Sequence, residues 1–415
     1  MMQLQNIDYS NMNLSVKLKK FLLVLMMLTV FFAPNINGRD YFGIIILYMV
    51  FILIIYYEKL RINKATFVIF IYIFVTIIID LVSLFAYPSS YILLLRTFIY
   101  ALIPLVAFML GTSFSENVQK SYFEKVIWMV GILQVIVGIL QVYSEKFRII
   151  TLSNYAFFEK YNHNFETWSV GRIVGTIGNP NTYGVFIVVF IMFIINILIP
   201  RYKEKLYVLI LLIITLLMSS YAVILTQSRT AYILFALGLL LSFLFSKMNL
   251  LLKLLTLVIG GIIGFVIVAS LPFITRRFSV GDLLTVGSRV EIWKTYINTY
   301  LYPININTLF GHGTHFVRDI GKAVDNYYLK IVMQYGLIGL LLYLGMVSKL
   351  IFLFIKRPRN NMSIFVFISI TVILISDFAG TINMQPDVTT FLFFVIGYYY
   401  KLKYTSSEIE ERVLS

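Results

Sequence analysis

Lys205-Leu206-Tyr207-Val208-Leu209-Ile210-Leu211-Leu212-Ile213-Ile214-Thr215-Leu216-Leu217-Met218-Ser219-Ser220-Tyr221-Ala222-Val223-Ile224-Leu225-Thr226-Gln227-Ser228-Arg229 decides the fold. Between Lys205 and Arg229 no side chain carries a charge. About 20 predominantly apolar residues cross the hydrocarbon core of a bilayer as a helix, which satisfies its own backbone polar groups. The stretch therefore reads as one membrane span with a cation at each end.

Similar stretches recur along the whole chain. Twelve are expected, roughly at Leu18–Pro34, Tyr41–Tyr57, Ala65–Tyr87, Tyr91–Leu110, Val126–Tyr143, Tyr183–Pro200, Leu206–Gln227, Ala231–Phe245, Leu250–Ile274, Tyr328–Ile355, Met362–Gly380 and Val388–Tyr400. The first and last are short, so eleven is the alternative count. The first resembles a signal-peptide core behind Lys17, Lys19 and Lys20, but no small-residue cleavage site follows at Phe32-Ala33-Pro34-Asn35. An uncleaved span is expected there. The fold class is all-α, a polytopic membrane protein forming a single integral membrane domain over residues 1–415.

Composition agrees. The 415 residues are 60% hydrophobic and 13% charged, where a soluble domain is nearer 45–50% apolar and about 25% charged. That excludes a soluble enzyme, a disordered chain and a conventional nucleic-acid binder. The absence of cysteine removes disulfides, thiolate metal sites and cysteine nucleophiles. With only His163, His312 and His315 as imidazoles, no metal or other cofactor is expected.

The net charge of +15 is large for so apolar a chain. Much of it falls in alternate connections: Lys17/Lys19/Lys20, Lys59/Arg61/Lys64, Lys120/Lys125, Arg201/Lys203/Lys205, Lys247, Lys356/Arg357/Arg359 and Lys401/Lys403. The opposite short connections hold almost none. Lys and Arg concentrate on the cytoplasmic side, so both termini are expected inside. Two long segments, 144–182 and 275–327, are then expected outside.

Three arginines break that rule. Arg172 precedes the turn Gly178-Asn179-Pro180-Asn181, whose residues tolerate or fix unusual backbone angles. Arg229 stands at the outer end of the seventh span, and Arg289 lies in Gly287-Ser288-Arg289-Val290-Glu291-Ile292-Trp293, a turn feeding a short amphipathic helix. Then come the glycine-hinged loop Phe310-Gly311-His312-Gly313-Thr314-His315 and the mouth of the tenth span, Asp325-Asn326-Tyr327-Tyr328, where Asp325 could cap the helix. Within that span, Gly336 and Gly339 are small residues that permit close helix packing. Guanidinium groups match phosphate oxygens with a planar donor fork and keep their charge. Three of them near one membrane surface suggest a site for an anionic lipid-linked headgroup; contacts to ordinary phospholipid phosphates are the plainer alternative. Asp80 and Arg96, at similar depth in the third and fourth spans, read as a structural ion pair. Asp377 and Asp387 are candidates to line a cavity, and Trp168 with Tyr155–Tyr161 to stack on sugar rings.

These motifs, in order from Gly171 to Leu344, resemble the superfamily of O-antigen ligases and polysaccharide polymerases. The resemblance implies a metal-independent membrane glycosyltransferase of the GT-C type, working at the outer face of the cytoplasmic membrane. Its substrates would be oligosaccharide repeat units linked by diphosphate to a polyprenyl carrier, serving as donor and acceptor, and a chain-length regulator is a candidate partner. Capsule, exopolysaccharide or O-antigen would be the product. The resemblance places Arg289 and Arg229 on the diphosphate and Arg172, Asn179, Asn181 and Asn326 among the substrate-binding residues. Arg276 and Arg277, at the end of the ninth span, are read from that position as substrate-binding cations that attract the anionic carrier, with a plain interface marker as the alternative. Ligases carry His where this chain has Asp325, which is similar to Gram-positive-type capsule polymerases. Asp325 is therefore the first candidate for general base, His315 the second and His312 the third. Transfer of a finished glycan to another acceptor, or transport of a lipid-linked sugar, are the alternative functions.

Overall fold

A computed structural model describes residues 14–34, 41–58, 62–86, 91–155, 172–245, 289–302, 304–314, 326–355, 360–378 and 385–414. Among them every regular element is helical. In chain order these are α1 (Val16–Phe32), α2 (Tyr41–Tyr57), α3 (Lys64–Ala86), α4 (Tyr91–Asn117), α5 (Lys120–Tyr143) and α6 (Glu145–Tyr155). There follow α7 (Pro180–Tyr202), α8 (Leu206–Leu225), α9 (Arg229–Phe245), α10 (residues 289–301), α11 (Ile306–Phe310), α12 (Tyr327–Ile355), α13 (Asn361–Ser376) and α14 (Pro386–Leu414).

Among the described residues six helices are long and apolar enough to cross a membrane: α3, α4, α5, α7, α8 and α12. α2, α9 and α13 are apolar but shorter. The expected span at Leu250–Ile274 lies outside the described residues. The expected boundaries otherwise fall close to the observed helices, with three additions. α4 runs on to Asn117, the segment after α5 opens with a helix of its own, α6, and α14 continues past the expected Tyr400 to Leu414.

α7 is the hub. It is buried nearly throughout and packs against α5, α8, α9 and α13. Its turn Ile194–Leu198 widens to a π-helix just before Pro200. Proline offers no amide, and its ring clashes with the carbonyl four residues earlier, so the wider turn lets the helix pass. Asn196 spans the bulge, donating to the Met192 carbonyl at 2.9 Å and to Ser242 Oγ on α9 at 2.8 Å. α4 and α14 meet through reciprocal glycines. A Cβ on Gly111 would stand 2.1 Å from the Phe394 carbonyl oxygen, and one on Gly397 would stand 2.2 Å from that of Phe108. Where helices are surrounded by lipid, such small residues allow the backbones to touch and gain dispersion contacts.

Polar contacts sort the helix ends into two sets. At one end of the bundle Lys19 is fully buried and ion-pairs with Glu58, which accepts from Ser113 Oγ at 2.8 Å. There too Arg201 and Lys120 face Glu124, Lys401 meets Glu116 at 3.0 Å, and Lys403 donates to the Phe354 carbonyl at 2.6 Å. These are members of the cation set that reads as a topology signal; the structure adds that four of them also tie helices together. At the other end lie Phe31, the loop 172–179, the α8–α9 turn, and the start of α12 where it meets the end of α13. The alternation of helix ends follows the alternation of charge.

Candidate functional site

The Arg172 loop enters the bundle rather than running over its surface. Ile173, Val174, Thr176 and Ile177 are buried, so their backbone groups need partners. Two glutamines of α5, seven residues and thus two turns apart, supply them from one helix face. Gln141 Oε1 accepts from the amides of Val174 at 3.0 Å and Gly175 at 3.1 Å, while its Nε2 donates to the Gly175 carbonyl at 2.9 Å. Gln134 accepts from the Thr176 amide at 3.3 Å and donates to the Thr176 hydroxyl, which donates in turn to the Phe31 carbonyl. Gly175 takes φ +57°, and a Cβ there would stand 2.3 Å from the Tyr183 ring. Irregular backbone buried in protein at membrane depth is tolerated under these conditions. Gln141→Leu strands two buried amides and a carbonyl. We expect a loss on the order of 3 kcal/mol, read as a lower unfolding temperature of the detergent-solubilised chain; an unshifted transition would show that the loop does not depend on Gln141.

The loop delivers Arg172 to a fixed place. Its Nε donates to the Thr226 carbonyl at 2.9 Å, and its Nη2 donates to Asn181 Oδ1 at 3.3 Å. These bonds orient the guanidinium. Ile173 N–H also donates to the Leu225 carbonyl at 3.2 Å, which pins the loop to the α8–α9 turn. That turn is tight: Gln227 adopts φ +49°, and Ser228 caps α9 by accepting from the Ala231 amide at 3.3 Å. Arg229 is the first helical residue after it.

Two helix N-termini thereby lie side by side. Asn179 caps α7 by accepting from the Asn181 and Thr182 amides at 2.9 and 3.3 Å. One turn into each helix, Gly184 faces Ala231 so closely that a Cβ on the glycine would sit 2.6 Å from the alanine methyl. Helix N-termini attract anions through unsatisfied amides and the macrodipole. A cation in the first turn is disfavoured by the same dipole, so Arg229 opposes local stability and suits a site that receives negative charge.

The sequence candidates thus divide. Arg172, Asn181 and the turn leading into Arg229 come together, and Asn179 serves as the cap of α7. Arg289 likewise opens a helix, α10, which docks through Tyr296 against Met333 of α12. Asn326 caps α12, accepting from the Leu329 amide at 3.0 Å; the capping expected of Asp325 falls to its neighbour. The Tyr327 amide donates to the Asp377 carbonyl at 2.8 Å, and the hydroxyls of Tyr328 and Tyr343 reach the Leu374 carbonyl and Asp377 Oδ2. The end of α13 thereby clasps the start of α12. Asp387 accepts from the adjacent Val388 amide at the start of α14. Asp325, His315, Arg276, Arg277, Trp168 and residues 156–161 lie outside the described residues. Tyr155 donates to the Phe32 carbonyl at 2.7 Å.

The segment after α11 carries a feature sequence reading missed. α12 is broken at Gly336, where φ is +67° and ψ −172°. Gly311 and Gly336 face each other across the break: a Cβ on Gly311 would stand 2.3 Å from the Gln334 carbonyl oxygen, and one on Gly336 would stand 2.1 Å from that of Leu309. The Met333 carbonyl accepts from the His312 amide at 2.9 Å. Gly336 is thus a helix break filled by the loop that follows α11, beyond the simple close packing expected of it. The loop glycines are fixed contact points, with positive φ at Gly311 and Gly313. Burial pushes the His312 imidazole below its ordinary pKa, against a backbone hydrogen bond with Tyr300 that acts the other way. Asp80 on α3 accepts from the Thr314 amide at 2.7 Å and from the Thr314 hydroxyl, and the Tyr335 hydroxyl donates to its other oxygen at 3.4 Å. The pairing of Asp80 with Arg96 concerns an Arg96 side chain outside those described.

Residues 213–344 match the protein family described as O-antigen ligase. The stretch runs from the middle of α8 through Arg229, Arg289 and the broken helix, and it bears out the resemblance read from the motifs between Gly171 and Leu344. It supports a membrane glycan-transferring activity of the O-antigen ligase or polymerase type in general. No curated protein matches the chain.

Proposed function

We propose that this chain polymerises oligosaccharide repeat units carried on polyprenyl diphosphate, at the outer face of the cytoplasmic membrane. One observation carries the reading: Arg172 is bonded to the turn that leads into Arg229, where two helix N-termini meet. That arrangement suits a diphosphate, whose charge grows as the glycosidic bond to it breaks. A hydroxyl oxygen of the acceptor unit attacks the anomeric carbon of the donor chain, and the bond from that carbon to the diphosphate oxygen breaks. The hydroxyl proton passes to Asp325, with His315 as the alternative base. The electron pair leaves on the diphosphate, where fixed guanidinium groups stabilise it more than they stabilise the bound substrate. Displacement of this kind inverts the anomeric configuration. Asn181 and Asn326 are assigned to substrate binding on the family resemblance, and Arg276 and Arg277 on their place at the end of the ninth expected span.

The test is reconstitution of the purified chain in vesicles with lipid-diphosphate-linked repeat units. Chains of increasing length support polymerisation; transfer of a preformed glycan to a different acceptor lipid would replace it with ligation. In the same assay Arg289→Ala is expected to lower turnover by roughly a hundredfold. Undiminished elongation would remove Arg289 from the site. A carrier for lipid-linked sugars is the second reading, since transporters place sites at broken helices. Here the break is filled by residues 309–314, which favours the enzyme, and vesicles that move the lipid-linked unit without lengthening it would decide for the carrier.

A further inference from the structure

Asp80 is the only acidic residue of α3 and stands six residues, roughly 9 Å, below the end of that helix. An ionisable group at such depth is costly and therefore tends to be held by specific partners or put to use. Three donors of the helix break close on it: the Thr314 amide, the Thr314 hydroxyl and the Tyr335 hydroxyl. The first two come from the outer segment and the third from the residue before Gly336. A carboxylate suits this place because each oxygen can accept more than one donor, and the bonds are strengthened by charge. Beneath the segment lies Ser83, one turn along α3. A Cβ on Gly313 would stand 2.0 Å from Ser83 Oγ, so loop and helix are in direct contact.

We propose that Asp80 is a positioning residue for glycan transfer. It fixes Gly311–Thr314 in the break of α12, and through that anchor it sets where α10, α11 and Arg289 stand over the membrane. α10 and α11 reach α12 by the same route: Tyr296 packs on Met333, whose carbonyl receives the His312 amide. The catalytic part of this inference rests on the glycan-transfer reading, whereas the anchoring part does not.

The chain contains no cysteine, which gives a direct test of the anchor. Ser83→Cys places one thiol beneath Gly313, and its reaction with a membrane-impermeant maleimide is followed on the full chain in vesicles without glycan. Labelling is expected to be slow, and adding Asp80→Leu should raise its rate about tenfold or more. In the chain with Ser83 intact, Asp80→Leu should lower kcat by roughly a hundredfold, the scale of a small misplacement, with little change in KM for the lipid-linked unit. Asp80→Asn retains an acceptor for the Thr314 amide and should recover most of both readouts. Gly313→Ala lifts the same segment without touching the carboxylate and should reproduce slow turnover and fast labelling, which covers a failure of Asp80→Leu to fold. Unchanged labelling in both Asp80→Leu and Gly313→Ala would overturn the proposal, as would full turnover in a variant that labels fast. If the unsubstituted chain transfers no glycan, the functional reading falls while labelling still decides the anchor.

Discussion

Gly336→Ala is expected to be among the most destabilising single substitutions in this protein, although it adds only one methyl group. The backbone at Gly336 lies at φ +67° and ψ −172°, a region open in practice only to glycine. Holding another residue there costs on the order of 1–3 kcal/mol. The new Cβ would also stand 2.1 Å from the Leu309 carbonyl oxygen and 2.5 Å from the Phe310 amide nitrogen. Both are backbone atoms and cannot swing aside. Either α12 straightens and expels residues 309–314, or the clash persists. In the first case the Met333 carbonyl loses the His312 amide and Asp80 loses Thr314. We expect the unfolding transition in detergent to fall by several degrees, and cleavage by added protease within residues 309–314 to accelerate. Gly345, further along the same helix, has nothing within 4 Å of an added Cβ; alanine there serves as the control and should leave both readouts near those of the parent chain. A parent-like transition in Gly336→Ala would mean that residues 309–314 do not fill the break.

The break shows which features were legible in the sequence. Membrane spans were, because a helix in lipid must be apolar along its length: Tyr41–Tyr57 coincides with the reading, and α8 differs only by the turn at its end. Arg172 and Arg229 were legible as exceptions to charge asymmetry, and the bond from Arg172 to the turn before Arg229 is a contact that no local pattern encodes. What escaped is the set of places where backbone leaves regular structure within the bundle. Gly336 lies in an apolar run that reads as continuous helix, since a composition window averages over a single residue. The signal present was indirect: glycines at 311 and 313 in the segment after α11 and a lone Asp80 within an apolar helix. Gln134 and Gln141 are similar. Polar residues two turns apart on one face of a span announce a partner, and that partner proved to be the Arg172 loop.

Arg229→Ala should abolish most glycan transfer while leaving the fold intact, and comparison with Arg172→Ala separates charge from architecture. Arg229 opens α9, where its charge opposes the helix dipole. Removing it should therefore cost little stability and could raise the unfolding temperature slightly. If the departing diphosphate is stabilised there, turnover falls by roughly a hundredfold or more, the loss seen when one preorganised stabilising group is deleted. Arg172→Ala removes a second cation and also cuts the bonds to Thr226 and Asn181 that join the buried loop to the α8–α9 turn. That variant should lose turnover and also unfold at a lower temperature. Arg172→Lys keeps the charge but has no planar fork to reach the carbonyl and the amide oxygen together, so it should recover little of either. The double variant should fall short of the sum of the two single losses, because residues sharing one turn are coupled. Two results would sink this account: Arg229→Ala that transfers glycan at the parent rate, or losses in the double variant that add in full, which would place the two arginines in separate sites.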